Sequence, residues 1–280
     1  MSDYTYLSLG AGLQSSTIAE MVVEGELDKP DLVIFADTGD EPDFVYEQVE
    51  YLEGRLAGVG VELVTVSAGS LPDDLQSATK RFAAIPVFSQ INGKRGRLKR
   101  QCTSDYKIEP ITKELKRHLL ARGLAKQDGR GVVVTCQVEN WLGISLDEVQ
   151  RMKPARESWL DHRWPLIDRR MTRNDCRQWL KRHDLRIPGK SSCRICPFHS
   201  DSYWRAMRDT STRDWQFVTG FDTSLRENSS RFAATAKGEL YLHRQCIPLA
   251  EVDLRTPEKL GQMRLLDDDT TVCDEGYCFV

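Results

Sequence analysis

The sequence predicts an α/β chain: a twisted parallel sheet with helices on both faces, followed by a smaller cysteine-containing region. Three observations predict it. Short apolar runs alternate with helix-period segments through the first half. The first of these runs ends in a turn of glycines and hydroxyls. After about residue 187 the periodic segments shorten, and cysteine and tryptophan enter them. Residues 1–186 are accordingly read as the α/β domain and 187–280 as a second region.

Tyr4–Leu9 is the first strand. Gly10 and Gly12 then let the backbone bend and approach a ligand with no side chain in the way. Ser8, Ser15 and Ser16 add hydroxyls beside the unpaired amides of a helix opening near Ser15, and such a helix start favours phosphate. The Gly-Lys-Ser/Thr ending of a Walker A loop is missing. Ser15–Glu26 is amphipathic, with Ile18, Met21 and Val22 on one face. Asp31–Ala36 is a second strand, and Phe44–Ala57 a helix with Val45, Val49, Leu52 and Leu56 as its inward stripe. Val61–Val66 is a third strand; the helical stretch Ile108–Arg122 precedes a fourth, Val132–Cys136. Ligands of such sheets gather at the carboxyl ends of the strands. Residues 71–105 break the alternation with Ile85-Pro86-Val87-Phe88 and the basic stretch Lys94–Arg100, a connection long enough to be a functional loop or partly disordered.

Composition bounds the rest. Apolar residues make up 40% and charged residues 29% of 280, as expected of a soluble globular protein. No apolar run is long enough to span a bilayer, and Met-Ser-Asp-Tyr-Thr-Tyr lacks the regions of a signal peptide. The expectation is a cytoplasmic protein with no membrane association, whose eight cysteines serve as metal ligands or reactive thiols rather than disulfides. The net charge of −3 conceals an asymmetry: residues 1–75 hold 2 basic and 16 acidic side chains, and residues 76–186 hold 25 basic and 12 acidic. Either the middle segment faces a polyanion, or the two segments neutralise each other across a shared surface.

The second strand ends in Ala36-Asp37-Thr38-Gly39-Asp40-Glu41-Pro42, where Asp37 and Thr38 sit at the place for a nucleotide or its magnesium. Together with the first loop, this segment resembles the PP-loop ATP pyrophosphatases, the adenine-nucleotide alpha-hydrolase group, and within it the phosphoadenosine-phosphosulfate reductase-like branch. Three further segments extend the resemblance over residues 5–200. Gln101–Ile111 is similar to the branch's Cys-x-x-x-Lys-x-x-Pro element, which implies that Cys102 and Lys107 lie beside the phosphates. Leu142–Arg151 is similar to the element after the fourth strand, with Gly143 and Ile144 at the nucleotide and Glu148 and Arg151 facing the site. Trp164–Asp168 with Met171–Leu180 resembles the closing strand and helix. The usual loop reads Ser-Gly-Gly-x-Asp-Ser; here Ser8–Ser16 is longer and has no Asp.

The resemblance implies that residues 1–186 bind ATP with Mg2+ and cleave it between the α and β phosphates. That chemistry needs amide donors, cations and a metal where negative charge builds. The helix start near Ser15, Lys107 and Arg151 supply them, and Asp37 holds magnesium or ribose; the bland alternative for Lys107 and Arg151 is a surface ion pair. Cys193-Arg194-Ile195-Cys196-Pro197 has metal-ligand spacing. With Cys102 as third ligand it resembles the 4Fe–4S sites of sulfur-transferring relatives that act on transfer RNA or the DNA backbone. The other reading is a structural zinc held by Cys102, Cys193, Cys196 and His199. A nucleic-acid substrate and a sulfur-donor protein are the partners so implied.

Elsewhere the readings are plainer. Cys273 and Cys278 lie in an acidic tail that lacks the reductases' Glu-Cys-Gly motif, and Asp274 and Glu275 disfavour a thiolate there. Tyr241–Arg244 reads as a strand whose His243 is structural, while Cys136 and Cys176 read as core thiols. Trp159 and Trp179 read as core, and the other tryptophans are candidates for stacking on bases beside the basic segment. Two rival functions remain: a sulfonucleotide reductase acting on phosphoadenosine phosphosulfate or adenylyl sulfate, and a non-catalytic nucleotide-binding component of a DNA modification or defence complex.

Overall fold

The computed structural model describes residues 2–77, 85–227 and 238–255. In chain order the elements begin with β1 (Tyr4–Leu9), α1 (Leu13–Val23), β2 (Leu32–Asp37), α2 (Asp43–Ala57), β3 (Leu63–Ser67) and α3 (Leu71–Gln76). Then come β4 (Phe88–Ile91), β5 (Lys94–Arg97), α4 (Glu109–Ala121), β6 (Ala125–Asp128), β7 (Gly131–Val134) and β8 (Val138–Leu142). The chain continues through β9 (Leu160–Arg163), α5 (Pro165–Asp168), α6 (Arg173–Arg182), α7 (Asp201–Thr210), α8 (Thr212–Ser224) and β10 (Glu239–Tyr241).

Two compact units result. Residues 2–68 and 104–191 form the first, and residues 69–77, 85–103, 192–227 and 238–255 the second. The sequence reading put one boundary between 186 and 187. The connection 69–103 instead belongs with the later residues, because β4 and β5 build a three-stranded antiparallel sheet with β10.

The first unit is α/β, with a five-stranded parallel sheet in the order β3-β2-β1-β8-β9. Strand alternation explains how both faces are covered. Leu7, Leu9, Val33 and Phe35 pack with Ile18 and Met21 of α1, Val45, Val49, Leu52 and Leu56 of α2, and Trp179 and Leu180 of α6. Tyr4, Tyr6, Leu32, Ile34 and Val138 face the other way, onto Leu115 and Leu119 of α4. α6 opens with a capping box between Thr172 and Asp175, and Arg55 in the last turn of α2 pairs with the buried Glu20 of α1 at 2.9 Å.

Two expected strands are corrected. The fourth strand of the sheet is Val138–Leu142, not Val132–Cys136; Val132–Val134 pairs with β6 in a two-stranded hairpin. The closing strand is Leu160–Arg163, while Pro165–Asp168 is a short helix, as a proline at its first position favours. Among the described residues no helix is long and apolar enough to cross a membrane.

In the second unit, Asn92 and Gly93 have φ of +48° and +74° and join β4 to β5 as a two-residue turn, the conformation Asn-Gly favours. Asp222, 1% exposed, accepts hydrogen bonds from Leu242 N (2.7 Å), Leu249 N (3.0 Å) and Arg226 Nη2 (2.7 Å), and so ties α8 to the segment after β10. The expected strand over Tyr241–Arg244 ends at Tyr241. His243 is buried and Arg244 exposed, and both reach Asp201 at 3.1 Å. Cys176 is buried, and burial pushes its thiol up to about 12.

Candidate nucleotide site

In the first unit the strand order reverses between β1 and β8, and the crevice beyond their carboxyl ends is where open parallel sheets hold ligands. β1 runs out at Leu9 into Gly10-Ala11-Gly12. Ala11 holds a left-handed φ of +53°, a conformation that costs about 1 kcal/mol in a residue with a Cβ. Gly10 N–H donates to Ser15 Oγ (3.1 Å), Ser191 Oγ donates to Gly10 O, and Ser16 N–H donates to Gly12 O (3.0 Å). α1 thus starts at Leu13, two residues before the expected position, with Gly12 at its N-cap. No side chain caps it among the described residues, so its first amides lack the usual acceptor. Ser16 Oγ is fully buried and has no hydrogen-bond partner among the described residues.

β8 ends at Leu142 against this loop. A Cβ on Gly143 would stand 2.7 Å from Ser15 N and 3.0 Å from Ser15 Cα, so only glycine allows this approach. Ile144 N–H folds back onto Leu142 O at 2.9 Å.

Below the loop lies a buried polar network. Gln14 Nε2 donates to Glu148 Oε2 (2.7 Å) and to Ser145 Oγ (3.3 Å), while Gln14 Oε1 accepts from Arg173 Nη1 (2.9 Å). Glu148 Oε2 also accepts from Arg151 Nη1 (2.8 Å), and Glu148 Oε1 lies 3.8 Å from Arg173 Nη1. Glu148 is thus the one carboxylate the two guanidinium groups share, while Asp147 Oδ1 accepts from the Arg173 backbone N–H at 3.1 Å. Arg151 Nε is buried with no hydrogen-bond partner among the described residues.

β2 ends in an acidic loop. Asp37 Oδ1 accepts from Gly39 N (2.7 Å) and Tyr46 Oη (2.9 Å). Burial, reinforced by that bond to Asp37, raises the Tyr46 phenol above its ordinary range and keeps it a donor. The buried Thr38 donates to Glu41 Oε1 (3.3 Å), and Lys107 Nζ lies 3.4 Å from the same oxygen. Lys107 sits in a single π-turn over Ser104–Ile108 that leads into α4, a distortion often found at functional sites.

The expected site residues divide accordingly. Gly10, Gly12, Ser15, Ser16, Gly143, Ile144, Glu148 and Arg151 gather around the opening of α1, while Asp37, Thr38 and Lys107 gather at the end of β2. Ser8 is committed elsewhere, its hydroxyl donating to Asn140 Oδ1 at 2.9 Å. Neither Arg151 nor Lys107 is a surface ion pair, because their side chains are 11% and 10% exposed. Gln14, Ser145, Glu41 and Arg173 were missed. Nothing in the spacing marks Gln14 or Arg173, which meet only in the folded sheet.

The chain matches no family model and no curated protein.

Cys102, Cys193 and Cys196 belong to the second unit. Cys196 N–H donates to Cys193 O (3.1 Å) and His199 Nε2 to the same carbonyl (2.9 Å), with the His199 ring stacked on Tyr203 at 3.8 Å. That leaves Nδ1 as the ring nitrogen a zinc reading would use. Among the described residues no three His, Cys, Asp or Glu side chains gather into a group able to hold a metal ion. The metal reading therefore stands on the Cys-x-x-Cys spacing alone. Cys273 and Cys278 lie outside the described residues.

Proposed function

We propose that the first unit binds ATP at the carboxyl ends of β1 and β8 and adenylates an acceptor oxygen with release of pyrophosphate, in the manner of the PP-loop ATP pyrophosphatases. One observation carries the reading: the uncapped start of α1, closed on one side by Gly143, beside a guanidinium pair that shares a single carboxylate. Amide donors and half-buried arginines suit the triphosphate and the charge that develops as it is cleaved. The acceptor oxygen would attack the α phosphorus. The bond from that phosphorus to the bridging oxygen breaks, pyrophosphate departs with the electron pair, and the acceptor keeps the AMP. A sulfide-level sulfur from a sulfur-donor protein, or another nucleophile, then attacks the acceptor atom that bears the adenylated oxygen; the bond to that oxygen breaks, and AMP leaves with the oxygen and the electron pair.

The oxygen donors Asp37 and Thr38 suit a hard cation, and Mg2+ held there would offset the charge of the phosphates. Arg151, fixed by Glu148, would hold phosphate oxygens in place. Among the described residues the cysteines do not form a ready cluster site.

The test is MgATP titration of the full chain by calorimetry, with α-labelled ATP followed to product. MgATP binding that is lost in Gly143→Val and weakened at least tenfold in Arg151→Ala, with AMP rather than ADP formed, supports the reading. Absence of ATP binding, or binding indifferent to both substitutions, overturns it. Tight binding without turnover, even with candidate acceptors supplied, favours the non-catalytic alternative.

A further inference from the structure

The geometry points to the β4–β5 hairpin of the second unit as a ribbon that grips the phosphate backbone of duplex DNA. The inference goes beyond the nucleotide reading and does not rest on it.

Residues 85–103 contain five cations, Lys94, Arg95, Arg97, Lys99 and Arg100, and no carboxylate. Residues 90–97 are exposed without interruption, on both faces of the hairpin and through its turn. Alternation puts Arg95 and Arg97 on one face and Lys94 on the other, so cations line both sides of the ribbon. A strand lying flat along one phosphate chain would use a single face. A ribbon set into a groove meets phosphates on both sides. The major groove of B-form DNA, about 12 Å wide, admits a two-stranded ribbon, whereas the major groove of an RNA duplex is too narrow.

Two simpler explanations fall short. Charges on an edge strand prevent edge-to-edge pairing, and β5 is an edge. That purpose does not require Arg97 and Arg100 to converge on one aromatic ring, yet both lie over Phe198, at 5.0 Å and 6.0 Å from its centroid. A membrane surface would also attract these cations. Interfacial binding buries apolar side chains as well, and Ile91 is the one large exposed hydrophobic among the described residues of this unit.

The test uses the full chain without ATP. Binding of a short mixed-sequence DNA duplex, the single strand, an RNA duplex and phosphatidylserine vesicles is measured against salt. The expected result is preference for the DNA duplex, with log affinity falling linearly with log salt. Substituting Lys94→Ala, Arg95→Ala and Arg97→Ala together should weaken binding at least tenfold at low salt. It should also reduce the salt slope by about 2–3, since each phosphate contact contributes about 0.9. Lys126→Ala with Arg130→Ala, on the exposed hairpin of the other unit, controls for a general loss of charge and should leave the slope unchanged. No duplex binding, an unchanged slope in the triple variant, an equal loss in the control, or preference for single strand, RNA or vesicles would each overturn the inference.

Discussion

The two sets of cations in the middle of this sequence end up in opposite conditions. Arg151 and Arg173 are largely buried and share Glu148, with Gln14 holding Arg173 in place. Lys94 and Arg95 stand in water on a hairpin with no carboxylate in its own strands. Both sets contribute to the same excess of positive charge over residues 76–186. The difference teaches that a net charge read along a chain mixes two things: cations fixed by desolvation and partners, and cations left to a long-range field.

The contrast breaks first at Glu148. Removing one member of a buried ion pair leaves uncompensated charge, so Glu148→Ala should cost about 3–5 kcal/mol of unfolding free energy. Urea denaturation measures it, and a loss below about 1 kcal/mol would mean that the network is solvated after all. Glu148→Gln, which keeps the shape and one hydrogen-bond acceptor, should cost less.

Asp201 is the intermediate case, at 30% side-chain exposure. The hydrogen bond from His243, helped by the Arg244 charge, holds its carboxyl below the ordinary carboxylate range. A depressed folded value gives stability that is present above the unfolded value of about 4 and is lost as pH falls through the folded one. The wild-type unfolding midpoint should therefore drop below about pH 4, and Asp201→Asn should flatten that acid limb. Superimposable acid profiles of the two proteins would contradict the assignment. The smallest effect belongs to the exposed set: Lys94→Ala with Arg95→Ala should move the urea midpoint by no more than the equivalent of about 0.5 kcal/mol. A larger loss would place those side chains in the fold rather than in solvent.

The legibility of the fold follows the same division between local and distant causes. β1, β2, β3, α1 and α2 could be read because each carries its own apolar period. β8 could not, since Val138-Glu139-Asn140-Trp141-Leu142 interleaves polar side chains whose distant partners the sheet brings in: Asn140 accepts from Ser8, and Glu139 lies 3.7 Å from Arg163 of β9. The β-branched run Val132–Val134 looked like the better strand and became a peripheral hairpin instead. The β4–β5 turn carried a readable signal, Asn92-Gly93, which the density of charge around it obscured. Of the candidate site, Gly143 answers to a geometric demand, the close approach of Ser15, whereas the left-handed turn expected of Gly10 or Gly12 falls on Ala11. Arg173 was not legible, because its role depends on Gln14, 159 positions away.

The order of the parallel sheet also bears on how the chain comes off the ribosome. Tyr4 in β1 pairs with Leu32's strand on one side and with Val138 on the other. While synthesis has not passed residue 142, the opening strand has only one neighbour, and its other edge is open to stray pairing. A nascent chain halted in that interval would be a substrate for chaperones. The crevice between β1 and β8 would not yet exist, because its second wall is made only after about half of the 280 residues.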